Sequence, residues 1–281
     1  MASEGAIVIS RGFGKGDGER EFEDAAAAFI RDRGFRVVLV PHVYFLRSGD
    51  AAAARLRRVG DRAAFASWLY PRAAEWTVRF LLSGGRDRTG ASAGSPLPSE
   101  WTFLRMADFR TAAELGAALI EASGAGPVKD ASVEEEAGEP LPERWYPVID
   151  RSLCVSCGKC LDFCLFGVYA RDGDAILVEN PDSCKPGCPA CARICSRKAI
   201  IFPHCPEPDI AGAPAVAAAD GSVRIPAAET KAGRGGNAGA GAVEEGGGKR
   251  EGAGGGSPAG RQRGVRDDLD DLIEKLDKLD G

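Results

Sequence analysis

All nine cysteines of this 281-residue chain fall between Cys154 and Cys205. The first run is Cys154-Val-Ser-Cys157-Gly-Lys-Cys160-Leu-Asp-Phe-Cys164. The second is Cys184-Lys-Pro-Gly-Cys188-Pro-Ala-Cys191-Ala-Arg-Ile-Cys195, and Cys205 stands apart. Thiolates are soft ligands, so clustering of this kind points to a metal or redox centre in a reducing compartment. The other common use of many cysteines, a disulfide framework, belongs mostly to short secreted chains. This chain is long, and its start, Met1-Ala-Ser-Glu-Gly-Ala-Ile-Val-Ile-Ser10, lacks the basic-then-apolar layout of an export signal. A cytoplasmic location is therefore expected.

The spacing narrows the chemistry. A cubane iron–sulfur cluster offers four irons, each wanting one thiolate. Three cysteines at two-residue intervals can wrap a loop around one cluster. A fourth, three residues on, is expected at the start of a helix that points away, within reach of a neighbouring cluster. Residues about 144–205 accordingly resemble a bacterial-type ferredoxin with two 4Fe-4S clusters. The resemblance implies a small α+β domain, with Trp145-Tyr-Pro-Val-Ile-Asp150 as its first strand. Ala175-Ile-Leu-Val-Glu179 follows the Arg171-Asp-Gly-Asp174 turn in a middle hairpin, and Ala199-Ile-Ile-Phe-Pro203 is the last strand. It further implies that Cys154, Cys157, Cys160 and Cys195 hold one cluster, and that Cys184, Cys188, Cys191 and Cys164 hold the other. The function implied is transfer of single electrons between redox partner proteins, a carrier rather than an enzyme.

The chain departs from the family pattern in two ways. The proline usual after the fourth cysteine of each run is Leu165 and Ser196 here, which loosens a turn but removes no ligand. Cys184 and Cys188 are separated by three residues instead of two, and Pro186-Gly187 can make the tighter bend that absorbs the extra one. Without that bend Cys184 is displaced and the second cluster becomes a three-iron or labile one. Cys205 is then a substitute ligand, or simply a free thiol. A zinc-stabilised scaffold is the rival reading. Zinc ribbons use pairs of cysteines about 15 to 20 residues apart and need no third regularly spaced one. Val155, Leu161, Phe163, Leu165, Phe166, Val168, Ile176, Val178, Ile194 and Ile200 are expected to jacket the centres and limit water access. Basic side chains slightly outnumber acidic ones between Arg144 and Cys205, which partly offsets the negative charge of two thiolate-bound clusters.

The N-terminal 1–125 reads as an α/β domain, a parallel sheet with helices. Ala6–Ser10, Arg36–Val40, Arg62–Leu69 and Trp101–Met106 are strand signals. They alternate with helical patterns through Phe22, Ala26, Phe29 and Ile30, from Pro71 to Leu82, and over Thr111–Ala122. Arg11-Gly-Phe-Gly-Lys-Gly-Asp-Gly18 follows a strand and precedes a helix, yet it matches neither a dinucleotide fingerprint nor a Walker loop. The acidic opening of the next helix would repel a phosphate, so a plain turn is expected. This start is also similar to that of small tetrapyrrole metal-chelatases. Their motif histidine after the first strand has no counterpart at Ser10 or Arg11, and no catalytic role carries over. His42 lies at the end of the second strand, where open α/β sheets place ligand-binding groups. An enzyme whose N-terminal domain binds a small molecule while the clusters feed it electrons is thus a second reading.

Residues 126–143, rich in acid, Gly and Pro, read as a solvated, mobile linker into a module at 144–208. Residues 209–264 read as a disordered Gly/Ala-rich tether, with Val243 the only large aliphatic between 231 and 260. Val265, Leu269, Leu272, Leu276 and Leu279 put one apolar face on a terminal helix at 265–281, too short to be stable alone and suited to docking a redox partner. The formal net charge of −5 argues against a generally basic nucleic-acid binder. No apolar run approaches the roughly 18 residues of a membrane span.

Overall fold

Ala6-Ile-Val-Ile-Ser10 and Val37-Val-Leu-Val40 are apolar without alternation, the pattern of strands covered on both faces. The computed structural model describes residues 5–13, 17–84, 100–136 and 142–214, with strand residues 216–217 and 223–224. It places these two runs at the centre of a five-stranded sheet. The strands are β1 (Ala6–Ser10), β2 (Val37–Val40), β3 (Arg62–Ser67), β4 (Glu100–Arg105) and β5 (Val133–Glu135). All pair in parallel, in the order β4-β3-β1-β2-β5. Four helices complete the layer: α1 (Asp17–Arg31), α2 (Ala51–Leu56), α3 (Pro71–Leu82) and α4 (Ala112–Ser123). Pro71 opens α3 at the position where its missing N–H costs nothing. The Thr111 hydroxyl caps α4 by accepting from the Glu114 N–H at 3.2 Å.

Each strand turns alternate side chains to the two faces. Ile7, Ile9, Val37, Leu39, Ala64 and Ala66 pack with Ala26, Ala27 and Ile30 of α1 and Leu115 and Leu119 of α4. Val8, Val38, Val40 and Phe65 face the other way, against Ala52, Ala53 and Leu56 of α2 and Ala73, Ala74, Val78 and Leu81 of α3. That second core does not stop at the sheet. It continues through Tyr146, Val148, Ile149, Val168, Ile176, Val178 and Ile200–Phe202, so the cysteine-bearing residues are built onto the α/β layer.

The cysteine-bearing part comprises β6 (Val148–Ile149), α5 (Lys159–Phe163), β7 (Tyr169–Asp172), β8 (Ala175–Val178), α6 (Ala190–Ile194) and β9 (Ile200–Ile201). β6 pairs antiparallel with β9, and β7 with β8 as the expected hairpin. The anticipated first strand from Trp145 contracts to Val148–Ile149, because Tyr146 turns into the core against Tyr44. These two rings stack with centroids 4.4 Å apart. The Tyr44 hydroxyl accepts from the Tyr146 N–H at 2.7 Å and donates to the Tyr146 carbonyl at 2.6 Å, while the Tyr146 hydroxyl donates to the Tyr44 carbonyl. Arg72 of α3 adds an ion pair to Asp150 at 2.5 Å and donates to the Lys198 carbonyl. Arg47 and Arg144 converge on Asp182.

Two boundary expectations need correction. The stretch 126–143 is not simply a solvated linker: Val133–Glu135 is β5, hydrogen-bonded beside β2. Backbone pairing and the packing of Val133 hold it, and its carboxylates are matched by cations, Glu135 by Arg11 at 3.0 Å and Glu134 by Arg36 and Arg55. The tether does not begin at 209. Ile210, Ala211 and Ala213 are buried, and the Phe202 N–H donates to the Ile210 carbonyl at 2.8 Å. Strands β10 (Val216–Ala217) and β11 (Val223–Arg224) then pair antiparallel. The rest of 209–264 and the terminal helix at 265–281 lie outside the described residues.

Candidate metal centre

The short helices decide where the sulfurs go. Cys160 lies near the start of α5 and Cys164 caps its C-terminal end. The fourth cysteine was expected to start a helix; it ends one. Four residues of helix carry it about 6 Å along the axis from Cys160, which is how one run serves two sites. The second run repeats this, with Cys191 in α6 and Cys195 at its C-cap. Loop geometry ahead of each helix relies on left-handed backbone, at Ser156 (φ 51°) and Gly158 (φ 83°) in the first run and Gly187 (φ 73°) in the second. The extra residue between Cys184 and Cys188 is taken up where sequence suggested. Pro186 and Gly187 occupy the centre of a turn closed by the Cys188 N–H on the Lys185 carbonyl at 3.1 Å.

The eight cysteines of the two runs line two cavities. Cys164, Cys184, Cys188 and Cys191 surround one of about 370 Å³, together with Pro147, Phe163, Leu165, Phe166, Val168 and Tyr169. Cys154, Cys157, Cys160 and Cys195 line another of about 20 Å³, with Ile149, Ile176 and Ile200 among its walls. Each quartet combines three cysteines of one run with the last of the other. Cys205 is buried and lines neither cavity. None of the nine is in a disulfide. Among the described residues, no group of three or more His, Cys, Asp or Glu side chains is gathered so as to hold a single metal ion.

Electrostatics follow the same grouping. Burial, then repulsion from Cys191, Cys188 and Cys164, pushes the Cys184 thiol up to about 12. Burial and then Cys154 push Cys160 up to about 12, with a smaller push from Cys191 of the other quartet, so the quartets are neighbours. Burial lifts Cys191 to about 11 against the pull of a hydrogen bond from Tyr169. Bare thiolates are disfavoured here, and a positively charged group among them would offset that penalty. Donor set, grouping and partly apolar walls fit iron–sulfur cofactors.

The expected apolar jacket is one-sided. Val168, Ile176, Val178 and Ile200 are buried, but Val155, Phe163, Leu165 and Phe166 are exposed, Leu165 at 92 %. They sit on loops and on a one-turn helix at the outer rims of the cavities, where nothing of the sheet covers them. Sequence reasoning missed three contributors. The Tyr169 hydroxyl donates to Cys191 Sγ at 3.1 Å, and the Trp145 indole N–H donates to the Cys188 carbonyl. His204 packs with its Nε2 3.2 Å from that of His42. An aromatic opening the strand before the Asp172-Gly173-Asp174 turn was the available signal for Tyr169.

At the sheet's carboxyl edge, the alternative ligand site, several described side chains bond one another. At the switch point between β1 and β3, where open α/β folds bind ligands, the Glu23 carboxylate accepts from the Gly12 N–H at 2.6 Å and from the Trp68 indole at 2.7 Å. Arg11 pairs there with Glu23, Asp24 and Glu135. His42 lies tilted against Phe45 and edge-on to His204; burial, then the charge of His204, lowers its pKa to about 3.

No protein-family model matches this chain, and no solved structure matches it. A stretch of 77 residues is 39 % identical to an uncharacterized ferredoxin of Methanocaldococcus jannaschii. The match covers 27 % of this chain and 52 % of that protein, so the chain spans about half the length of that relative. The similarity supports a ferredoxin-like iron–sulfur domain. Among the described residues no helix is long and apolar enough to cross a membrane.

Proposed function

We propose that this protein carries single electrons between redox partner proteins through two 4Fe-4S clusters. The observation that supports this reading most directly is the sorting of eight thiols into two neighbouring quartets, each lining a cavity and each drawing on both runs. Cys154, Cys157, Cys160 and Cys195 would hold one cluster, and Cys164, Cys184, Cys188 and Cys191 the other. When bound, such a cluster takes up and gives back one electron at a potential set by charge, hydrogen bonds and solvent exposure. The chain's own residues set those variables. Val168, Ile176, Val178 and Ile200 exclude water from the inner side, and the buried core shared with the sheet fixes the loops. Exposed Phe163, Leu165 and Phe166 leave one side of the second site close to solvent, the side from which an electron has the shortest way out.

The test is chemical analysis of protein prepared without oxygen. About eight iron and eight acid-labile sulfide per chain is the expected result, from four of each per cubane. Zinc in their place would support the scaffold reading, and about seven iron would point to a three-iron second cluster.

A further inference from the structure

Tyr169 opens β7 and is buried, and its hydroxyl lies 3.1 Å from Cys191 Sγ. The backbone on either side leaves it little freedom. The Val168 carbonyl accepts from the Glu179 and Asn180 N–H groups at 2.9 and 3.1 Å. The Asn180 side chain donates to the Gly167 carbonyl, and Tyr169 itself pairs with Val178 across the hairpin. Backbone N–H groups reach sulfurs of both quartets, from Leu161 to Cys160, Ala192 to Cys191 and Ala199 to Cys195. Tyr169 adds a side-chain donor, held in place before any charge arrives, to one quartet.

We infer that Tyr169 is a positioning residue whose hydroxyl makes the centre held by Cys164, Cys184, Cys188 and Cys191 easier to reduce than it would be without that donor. This rests on the proposed two-cluster reading and goes beyond it. A donor aimed at a ligand sulfur favours the state with more negative charge, which is the reduced one. A fixed donor achieves this without reorganising as the electron arrives.

The test is a redox titration of the full chain, followed by electron paramagnetic resonance, for the unaltered protein and for Tyr169→Phe. The substitution removes one oxygen atom and keeps the ring. It should lower the reduction equilibrium constant of one centre by about three- to tenfold, where tenfold corresponds to 59 mV for one electron. The other centre should not move and serves as the internal control. Placing 3-fluorotyrosine at position 169 strengthens the donor without changing the fold, and should move the same step the opposite way. Intact clusters with both steps unmoved would overturn the inference alone. Loss of iron from Tyr169→Phe would overturn it too, making the hydroxyl an assembly element. Absence of iron and sulfide from the unaltered protein would overturn the underlying reading as well.

Discussion

Two regions of this molecule were candidates for chemistry, and they differ in what fills them. The carboxyl edge of the parallel sheet is where open α/β proteins bind ligands, yet its described charged groups pair with one another, while Ser67 Oγ and His42 Nδ1 are buried there without a partner. Glu23 joins Gly12 to Trp68, and Arg11 pairs with three carboxylates. The cysteine-bearing half shows the reverse. Its thiols form no disulfide, burial makes Cys160, Cys184 and Cys191 resist ionisation, and one quartet surrounds about 370 Å³ of open space. A site whose charged groups are tied to one another is held as architecture. A site that leaves them unsatisfied and shaped around a cavity is built for a guest. The α/β layer is on this view the platform on which the cysteine loops are held, through a core the two halves share.

The largest effect should come from the ligands. Cys191→Ser is expected to halve the iron and sulfide content, whereas Cys205→Ser should leave both unchanged, because Cys205 lines neither cavity. Iron analysis of the two variants checks this, and loss of iron from the Cys205 variant would break the grouping. Next is the attachment of the two halves. Arg72→Met leaves Asp150 buried without its cation and should cost about 3–5 kcal/mol in urea unfolding. Tyr44→Phe removes both hydrogen bonds of its hydroxyl to the Tyr146 backbone and should cost about 1–3 kcal/mol by the same measurement.

A smaller effect is expected from pH. The folded pKa of His42, about 3, lies below its unfolded value of 6.5. The unfolded chain therefore binds the extra proton first, and stability falls as pH drops from about 6.5 toward 3. From pH 7 to pH 5 the loss should be about 2 kcal/mol, and His42→Gln should remove that part of the slope. His204, lowered by burial and opposed by Glu143, adds in the same direction. The smallest effect concerns the sheet edge. Nucleotides, flavins and tetrapyrroles should leave the melting temperature of the full chain unchanged, and a ligand-dependent rise would reopen the enzyme reading.

What the sequence revealed follows from how local each signal is. The apolar runs at Ala6–Ser10 and Val37–Val40 and the Pro71 helix start are local patterns, and the strands and helix stand where those patterns put them. The turn at Pro186-Gly187 is equally local. By contrast β5 carries Glu134 and Glu135, so its composition reads as solvated. It is a strand by pairing with β2, and its carboxylates meet Arg11, Arg36 and Arg55, all remote in sequence. Ile210 and Ala211 sit in a Gly/Ala/Pro-rich stretch and are held by the backbone bond from Phe202, by their own N–H groups on the Glu207 carbonyl, and by burial. The contacts of Tyr169 with Cys191 and of His42 with His204 join elements 22 and 162 residues apart. No spacing rule reaches across that distance. The two cysteine runs were legible because spacing within each run is a local pattern, whereas their grouping across the runs was implied by the family resemblance and not by spacing.

The measurement that bears most directly on the central claim is electron paramagnetic resonance of the fully reduced, anaerobically prepared protein, with the electrons taken up counted. Two one-electron centres held by neighbouring quartets should accept two electrons per chain and give signals broadened by the interaction of two spins. A protein that takes up no electrons and shows no such signal would contradict it.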